Sequence, residues 1–241
     1  MKTMQAIGSG MLLAAAVETG ALAGPQPANF GEDVAFLKKH TEVVVLSDKS
    51  GKAKVAIAPA WQGRVMTSTA RGDKGQSFGW INRELIASGK LVPHINVFGG
   101  EDRFWLGPEG GQFSIFFAKG AAFDLEHWFT PAPIDTEPFK LAKKGKSQAL
   151  FQHAFTLTNY SGTVFQVKVN RAVRLLDNRT AWQKLGCAPS PKLSMVAFES
   201  DNEITNAGQE PWRKDTGLLS IWILCMFNPS PATTVVVPIK S

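Results

Sequence analysis

The stretch 147–176, "SQALFQHAFTLTNYSGTVFQVKVNRAVRLL", decides the fold class, because apolar and polar residues alternate along most of its length. Alternation with a period of two is typical of a β-strand that has one buried face and one solvated face. The stretch divides into two such runs, 147–162 and 163–176, each long enough for a strand. We therefore predict two long strands here, as in an antiparallel sheet with one face in water.

Shorter runs of the same kind lie on both sides of this stretch, and helical patterns are few. Helices are expected only at 31–40, at 82–90 with Gly89 at the end, and at 178–186 between Asn178 and Gly186. Ten or more candidate strands with few helices predict an all-β protein, a large antiparallel β-sandwich with one or two short helices. The further strand candidates are "TEVVVLS" (41–47), "AKVAIAPA" (53–60), "GRVMTSTA" (63–70), "LSMVAFES" (193–200), "NEITNAG" (202–208), "GLLSIWILCMF" (217–227) and "TTVVVPI" (233–239).

Composition excludes several classes of protein. The chain has 241 residues, 44% hydrophobic and 19% charged, which is typical of a globular protein and unlike a disordered one. No apolar run is long enough to span a bilayer, so we expect no membrane span. The net charge of +6 clusters mainly in "KLAKKGK" (140–146), which is typical of a solvated turn. No basic strip is interleaved with aromatic residues, so we expect no nucleic-acid partner.

The two ends of the chain carry separate expectations. Lys2, the apolar run 6–17 and the small residues of "ALAG" (21–24) predict a signal peptide over 1–23, interrupted only by Glu18. The protein is therefore expected to be exported, to the periplasm or the medium. Residues 24–40 are expected to form a linker and a short helix, and 41–241 the β-sandwich domain. The last strand candidate is either an edge guarded by Pro238 and Lys240, or part of a domain that extends beyond this chain.

The two cysteines, Cys187 and Cys225, do not predict a metal site. No C-x-x-C and no Cys/His spacing occurs, so we expect neither a structural zinc ion nor another cofactor. Cys225 lies in "SIWILCMF" (220–227), which predicts a buried strand and a free thiol in the core.

The stretch 96–117, "NVFGGEDRFWLGPEGGQFSIFF", holds the candidate functional residues. We expect it to be a loop between two strands, "HINVFGG" (94–100) and "QFSIFFA" (112–118). One interpretation is an elaborate turn with solvated acids, in which the tryptophan covers the core. The other is a sugar site, because an indole ring stacks on a pyranose while carboxylate and guanidinium groups bind its hydroxyls. The candidates are Glu101, Asp102, Arg103, Trp105 and Glu109.

Two histidines near the ends of candidate strands complete the set. His94 precedes the first glycine pair and His127 lies in "FDLEHWFTP" (123–131), so either is a candidate acid. His40 is explained by the end of a helix, and His153 by a place on the sheet. Glu101 and Glu109 could instead form a glycosidase pair, or the loop acids could bind Ca²⁺, although no EF-hand spacing exists. Nucleophile-elbow and nucleotide-loop motifs are absent from the sequence.

The order of elements resembles the galactose-mutarotase-like, or aldose 1-epimerase-like, supersandwich superfamily, in particular an uncharacterised secreted bacterial branch. The segments that carry the resemblance are "VAIAPAWQGRVMTSTA" (55–70), "VFGGEDRFWLGPEGG" (97–111) and "TGLLSIWILCMFNPSPATTVVVPI" (216–239), and it spans residue 41 to the end. It implies a β-sandwich with a sugar-facing concave surface, a histidine acid at the ring oxygen and a glutamate base at the anomeric hydroxyl.

Residue by residue, the resemblance transfers only in part. Arg64 matches the early arginine of the superfamily, and Arg103 and Trp105 lie on the Gly-Gly segment. The base glutamate of the superfamily comes late in longer domains, so the resemblance assigns no base, and Glu109 is our candidate from this chain. The sequence thus leaves three hypotheses open: an epimerase-like isomerase, a non-catalytic glycan-binding module, and a structural domain whose loop only closes a hairpin.

Overall fold

The computed structural model describes residues 28–237, so the expected signal peptide, Pro238 and Lys240 lie outside the described residues. The described part confirms the all-β prediction, because nine strands form antiparallel sheets and the helices are short. The helices are α1 (Phe30–His40), α2 (Arg83–Ser88), α3 (Ala132–Asp135) and α4 (Asn178–Leu185). The strands are β1 (Val44–Ser47), β2 (Lys54–Ala58), β3 (Arg64–Thr69), β4 (Arg103–Gly107), β5 (Lys140–Lys144), β6 (Gln148–Thr158), β7 (Val164–Leu175), β8 (Phe198–Asn206) and β9 (Ser220–Leu224).

The first layer of the sandwich combines two small sheets, β1-β2-β3 and β4-β9. A single antiparallel bridge between Val65 and Asp102 links them, and the backbone N–H of Glu101 donates to the Val65 carbonyl at 2.7 Å. The strands therefore follow the order β1-β2-β3-β4-β9 across this layer. β4 lies inside the layer, between β3 and β9.

The second layer is a four-stranded sheet in the order β5-β6-β7-β8. β6 and β7 pair along their whole length, from Gln148 opposite Arg174 to Thr158 opposite Val164. This pair corresponds to the alternating stretch that predicted the fold, and its alternating burial confirms the prediction for both strands.

The main hydrophobic core lies between the two layers. Val55 and Phe104 from the first layer and Phe151 and Val169 from the second belong to one buried cluster. Helices cover the outer face of the first layer, since Met66 of β3 packs in one cluster with Leu37 of α1 and Ile86 of α2. Within residues 28–237, no helix has the length and apolarity needed to cross a membrane.

Local chemistry explains where the helices begin and end. Asn29 and Glu32 form a reciprocal capping box at the start of α1. α2 ends at Gly89 and α4 at Gly186, both with left-handed backbone, as predicted. The cap of α4 was predicted one residue late, because the Asp177 carboxylate and not Asn178 accepts from the Thr180 N–H at 2.9 Å.

Several strand predictions were wrong. Segments 94–100 and 112–118 form no strands, while residues within the expected loop form β4. The expected strands at 193–200 and 202–208 are replaced by one strand, β8, and residues 233–237 form none. Cys225 is exposed instead of buried, because β9 pairs only with β4 within the described part and its apolar residues remain partly open.

Candidate functional site

The two glycine pairs of the segment 99–111 differ in their surroundings. A Cβ on Gly99 would lie 2.2 Å from the Trp80 carbonyl oxygen, and one on Gly100 would lie 2.8 Å from that of Val65. Both have φ near or above 90°, which favours glycine. A Cβ on Gly110 or Gly111 would meet no atom within 4 Å. The first pair is therefore required by close packing, whereas the second lies at an open turn.

Asp102 and Arg103 follow each other in an extended backbone and therefore point to opposite faces of the first layer. Asp102 points to the second layer, where its carboxylate forms a buried ion pair with Arg171 of β7 and accepts from Ser200 Oγ at 2.8 Å. Arg171 also donates from Nε to the Gly63 carbonyl at 3.1 Å. This ion pair therefore joins the two layers through their core.

Arg103 is buried on the other face and pairs with Asp135 of α3 at 2.8 Å. Its guanidinium carbon lies 4.3 Å from the centre of the Trp105 ring, a cation–π contact. Asp135 also accepts from the backbone and side-chain amides of Asn96, at 3.1 and 2.8 Å. Burial lowers the pKa of Arg103 to about 10, and Asp135 opposes that shift.

Arg64 is fully buried next to this pair. It donates to the Gly99 carbonyl at 3.1 Å and to Gln62 Oε1 at 3.0 Å. Burial lowers its pKa, and the neighbouring guanidinium of Arg103 lowers it further. Both hydrogen bonds are with the protein itself, and the one to Gly99 stabilises the backbone at the first glycine pair.

Glu101 is buried against β3. Its two carboxyl oxygens accept from the Ser68 backbone N–H at 2.6 Å and from Ser68 Oγ at 2.8 Å. Burial raises the pKa of Glu101 to about 7, and the charge of Asp102 adds to the shift. We call these charged residues together the buried charge cluster: Arg64, Glu101, Asp102, Arg103, Asp135 and Arg171.

Four of the residues predicted to bind substrate thus lie in the buried charge cluster: Arg64, Glu101, Asp102 and Arg103. The fifth, Trp105, is 1% exposed. Its ring has the guanidinium of Arg103 over it and Phe116 at 5.5 Å, which leaves no free face for a pyranose. Among these five residues, Asp102 joins the two layers and Arg103 joins the first layer to α3.

Glu109 lies at the edge of this core and is half-buried. Its Oε1 accepts from the Trp105 indole N–H at 2.7 Å. Glu101 and Glu109 contact different partners, Ser68 and Trp105, and are not joined by a hydrogen bond. Of the acids on this segment, Glu109 is the one that combines a held carboxyl oxygen with access to solvent.

Several aromatic rings lie between Trp105 and the surface. Phe116 packs on Trp105 and stacks on Trp128 at 5.0 Å, and the next residue, Phe129, is 50% exposed. Phe129 stacks on the ring of His94 at 4.4 Å. We call Trp105, Phe116, Trp128 and Phe129 the aromatic array. Two of the predicted catalytic residues contact it, Glu109 at Trp105 and His94 at Trp128 and Phe129.

His94 is held in one orientation. Its Nδ1 lies 2.7 Å from the Trp128 carbonyl oxygen, and because a carbonyl only accepts, Nδ1 carries the proton. Nε2 has no hydrogen-bond partner among residues 28–237. The backbone of His94 has φ 68°, a left-handed conformation that is uncommon outside glycine. The ring therefore presents Nε2 at a half-buried surface.

His127, the other candidate acid, lies on an exposed turn. Its Nδ1 is 2.6 Å from Asp124 Oδ1, and its backbone N–H donates to the same atom at 3.0 Å. The hydrogen bond with Asp124 raises the pKa of His127. Its contacts are local to that turn, and they do not include His94 or Glu109.

Comparison with known proteins gives one result. A family model described as a family of unknown function, DUF6786, matches residues 28–241. The chain belongs to this family. No curated protein and no solved structure matches the chain.

Sequence reasoning missed several residues that build this region of the DUF6786 chain. Asp135, Trp128 and Phe129 lie in a stretch without regular alternation, which carried no signal. Arg171 could have been found from the sequence, because it continues the inward-facing positions of Val167 and Val169 along β7. An arginine at a core position requires a buried partner.

In the part of the DUF6786 chain that the structure describes, no group of three or more His, Cys, Asp or Glu side chains is placed to hold a metal ion. The loop acids that could have bound Ca²⁺ are separated, since Glu101 and Asp102 are buried against different partners from Glu109.

Proposed function

We propose that this chain is an exported carbohydrate-active protein with aldose 1-epimerase-like chemistry, and that its site lies on the exposed side of the aromatic array. The observation that carries the proposal is the state of His94. A carbonyl holds its Nδ1, Phe129 stacks on its ring, and Nε2 has no hydrogen-bond partner in the part of the chain that the structure describes. Unusual backbone conformations of this kind cost free energy and cluster at functional sites.

The proposed reaction needs one acid and one base and no cofactor. His94, as imidazolium, donates the Nε2 proton to the ring oxygen of a pyranose while a carboxylate accepts the proton of the anomeric hydroxyl. The bond between the anomeric carbon and the ring oxygen breaks, and an open-chain aldehyde forms. Rotation about the adjacent carbon–carbon bond and reversal of both proton transfers close the ring as the other anomer.

Glu109 is the proposed base. The Trp105 indole N–H donates to Oε1 and holds the carboxyl group in place, while Oε2, which has no partner among residues 28–237, would accept the proton. Sugar binding is supported by the open ring of Phe129, because the apolar face of a pyranose packs on aromatic rings. The resemblance to the galactose-mutarotase-like superfamily points to the same substrate class.

The test is anomer exchange, followed by NMR on a panel of aldoses with the full chain. We expect His94→Asn and Glu109→Gln each to lower kcat/KM by about 100-fold or more, the scale of general acid–base catalysis. His40→Asn serves as the control, because His40 lies exposed at the end of α1. Wild-type rates in both His94→Asn and Glu109→Gln would reject the proposed mechanism.

A second function, a non-catalytic glycan-binding module, is favoured by the same exposed Phe129. It differs in its expected result, because sugar affinity would fall in Phe129→Ala while no variant and no sugar showed turnover. Isothermal titration with the aldose panel distinguishes the two functions.

Export rests on the pattern of residues 1–23, which lie outside the described residues. We propose a periplasmic or extracellular location. The intact mass of the protein recovered from an expressing cell tests it, since cleavage after Ala23 removes the segment 1–23.

A further inference from the structure

A cavity of about 640 Å³ that is open to solvent lies between α4 and the segment that follows it, and shares no lining residue with the aromatic array. Trp182 of α4 forms one side, and Pro191, Leu193 and Met195 belong to the other. The volume falls within the range of about 300–1,000 Å³ that is typical of small-molecule sites, which are mostly apolar with a few polar groups.

The lining of this cavity carries one charge. Arg179 is its single charged residue, and it takes part in no ion pair within residues 28–237. Lys184 on the same helix, in contrast, pairs with Glu199 at 2.8 Å. The acid nearest to Arg179 in sequence, Asp177, uses both carboxyl oxygens to cap α4, accepting from the N–H and Oγ1 of Thr180 at 2.9 Å each.

We propose that this cavity binds a small apolar carboxylic acid. The apolar body of the ligand packs between Trp182 and Leu193, which removes apolar surface of both from water. Its carboxylate pairs with Arg179, whose planar guanidinium matches a carboxylate in a two-bond geometry. This site is independent of the proposed sugar site, because the two have no residue in common.

The cysteines provide a direct measurement of occupancy. Cys187 lines the cavity, whereas Cys225 follows β9, and both thiols are exposed. A ligand in the cavity covers Cys187 and leaves Cys225 open. Alkylation of the two cysteines in one sample therefore reports on binding at this place and carries its own control.

The experiment uses the full chain, iodoacetamide and peptide mass spectrometry, with naphthoate as the ligand probe and naphthamide as its uncharged analogue. We expect naphthoate to slow alkylation of Cys187 several-fold and to leave Cys225 unchanged. Arg179→Gln should weaken the apparent affinity about tenfold, since a charge-assisted hydrogen bond is lost. Lys184→Gln is the matched control and should bind as wild type.

Three results would overturn the proposal. Naphthoate could protect neither cysteine, or it could protect both equally, which would indicate nonspecific binding. Naphthamide could protect Cys187 as well as naphthoate does, which would remove the role of Arg179. Because Arg179 and Lys184 are exposed, both variants are expected to fold, and far-UV circular dichroism checks this.

Discussion

The buried charge cluster and the aromatic array begin in the same short segment but use their polar groups in opposite ways. In the cluster, Asp102 and Glu101 have both carboxyl oxygens bonded to the protein. Next to the array, Nε2 of His94 has no partner among the described residues, and Glu109 has one carboxyl oxygen held by the Trp105 indole N–H. Residue types alone do not separate a structural network from a ligand site. Exposure and unused hydrogen-bonding capacity do.

The buried charges have a cost that the fold must offset. Removing an aspartate and an arginine from water is unfavourable, and their attraction compensates only when other hydrogen bonds satisfy the remaining atoms. Arg171 meets this condition, with acceptors on Gly63, Asp102 and Asn202. Because these acceptors belong to both layers, we infer that the Asp102–Arg171 ion pair fixes the orientation of one sheet relative to the other.

Asp102→Ala should therefore have the largest effect on stability. It leaves the Arg171 guanidinium buried without its counter-charge, and such changes cost about 3–5 kcal/mol of the free energy of unfolding. Urea unfolding measures this. The control is Asp201→Ala, which removes the exposed carboxylate 3.4 Å from Arg174 between β7 and β8 and should cost about 1 kcal/mol or less.

Equal losses in these two variants would contradict the structural role of the cluster. They would mean that the buried pair contributes no more than an exposed pair on the same strand, and that packing alone aligns the two layers.

Glu101 should make stability depend on pH in the direction opposite to that of an ordinary ion-paired acid. Its pKa is raised from 4.5 to about 7, so between these values the folded state holds a proton that the unfolded chain has released. The contribution of this group is complete below pH 4.5 and is lost as the pH rises through 7, by at most about 3 kcal/mol.

Glu101→Gln should remove this pH dependence while keeping a hydrogen bond to Ser68. Urea unfolding of both proteins at about pH 5 and about pH 8 measures it. The variant should gain stability relative to wild type at the higher pH. Parallel pH profiles would show that Glu101 is ionised in the folded state throughout.

The sequence predicted the sheets better than it predicted the segment between them. The alternation along β6 and β7 predicts one solvated face and one buried face, and the structure shows both. β4 is buried on both faces, so its residues show no alternation, and with Arg103 among them the segment looked like a loop. The partners Asp135 and Arg171 come from distant parts of the chain, and their pairing depends on tertiary contacts that no local pattern encodes.

For the candidate site, His94 and Glu109 remain predictions. Glu109 was chosen because it lies on the glycine-rich segment and His94 because it precedes that segment, and each contacts one end of the aromatic array. Trp105 was chosen as a stacking ring, but its ring is buried and already contacts the Arg103 guanidinium and Phe116. Phe129, which is exposed, follows from no motif.

His94→Asn should have the smallest effect on stability. Asparagine tolerates left-handed backbone, so the change loses one hydrogen bond and a partly exposed ring contact, about 1 kcal/mol in total. Urea unfolding of the variant, set beside Asp102→Ala, tests the contrast between the two regions. If His94→Asn abolishes anomer exchange at nearly wild-type stability, function and folding separate at this residue. A loss of stability as large as that of Asp102→Ala would instead place His94 in the structural core, and the strained backbone would then serve packing and not chemistry.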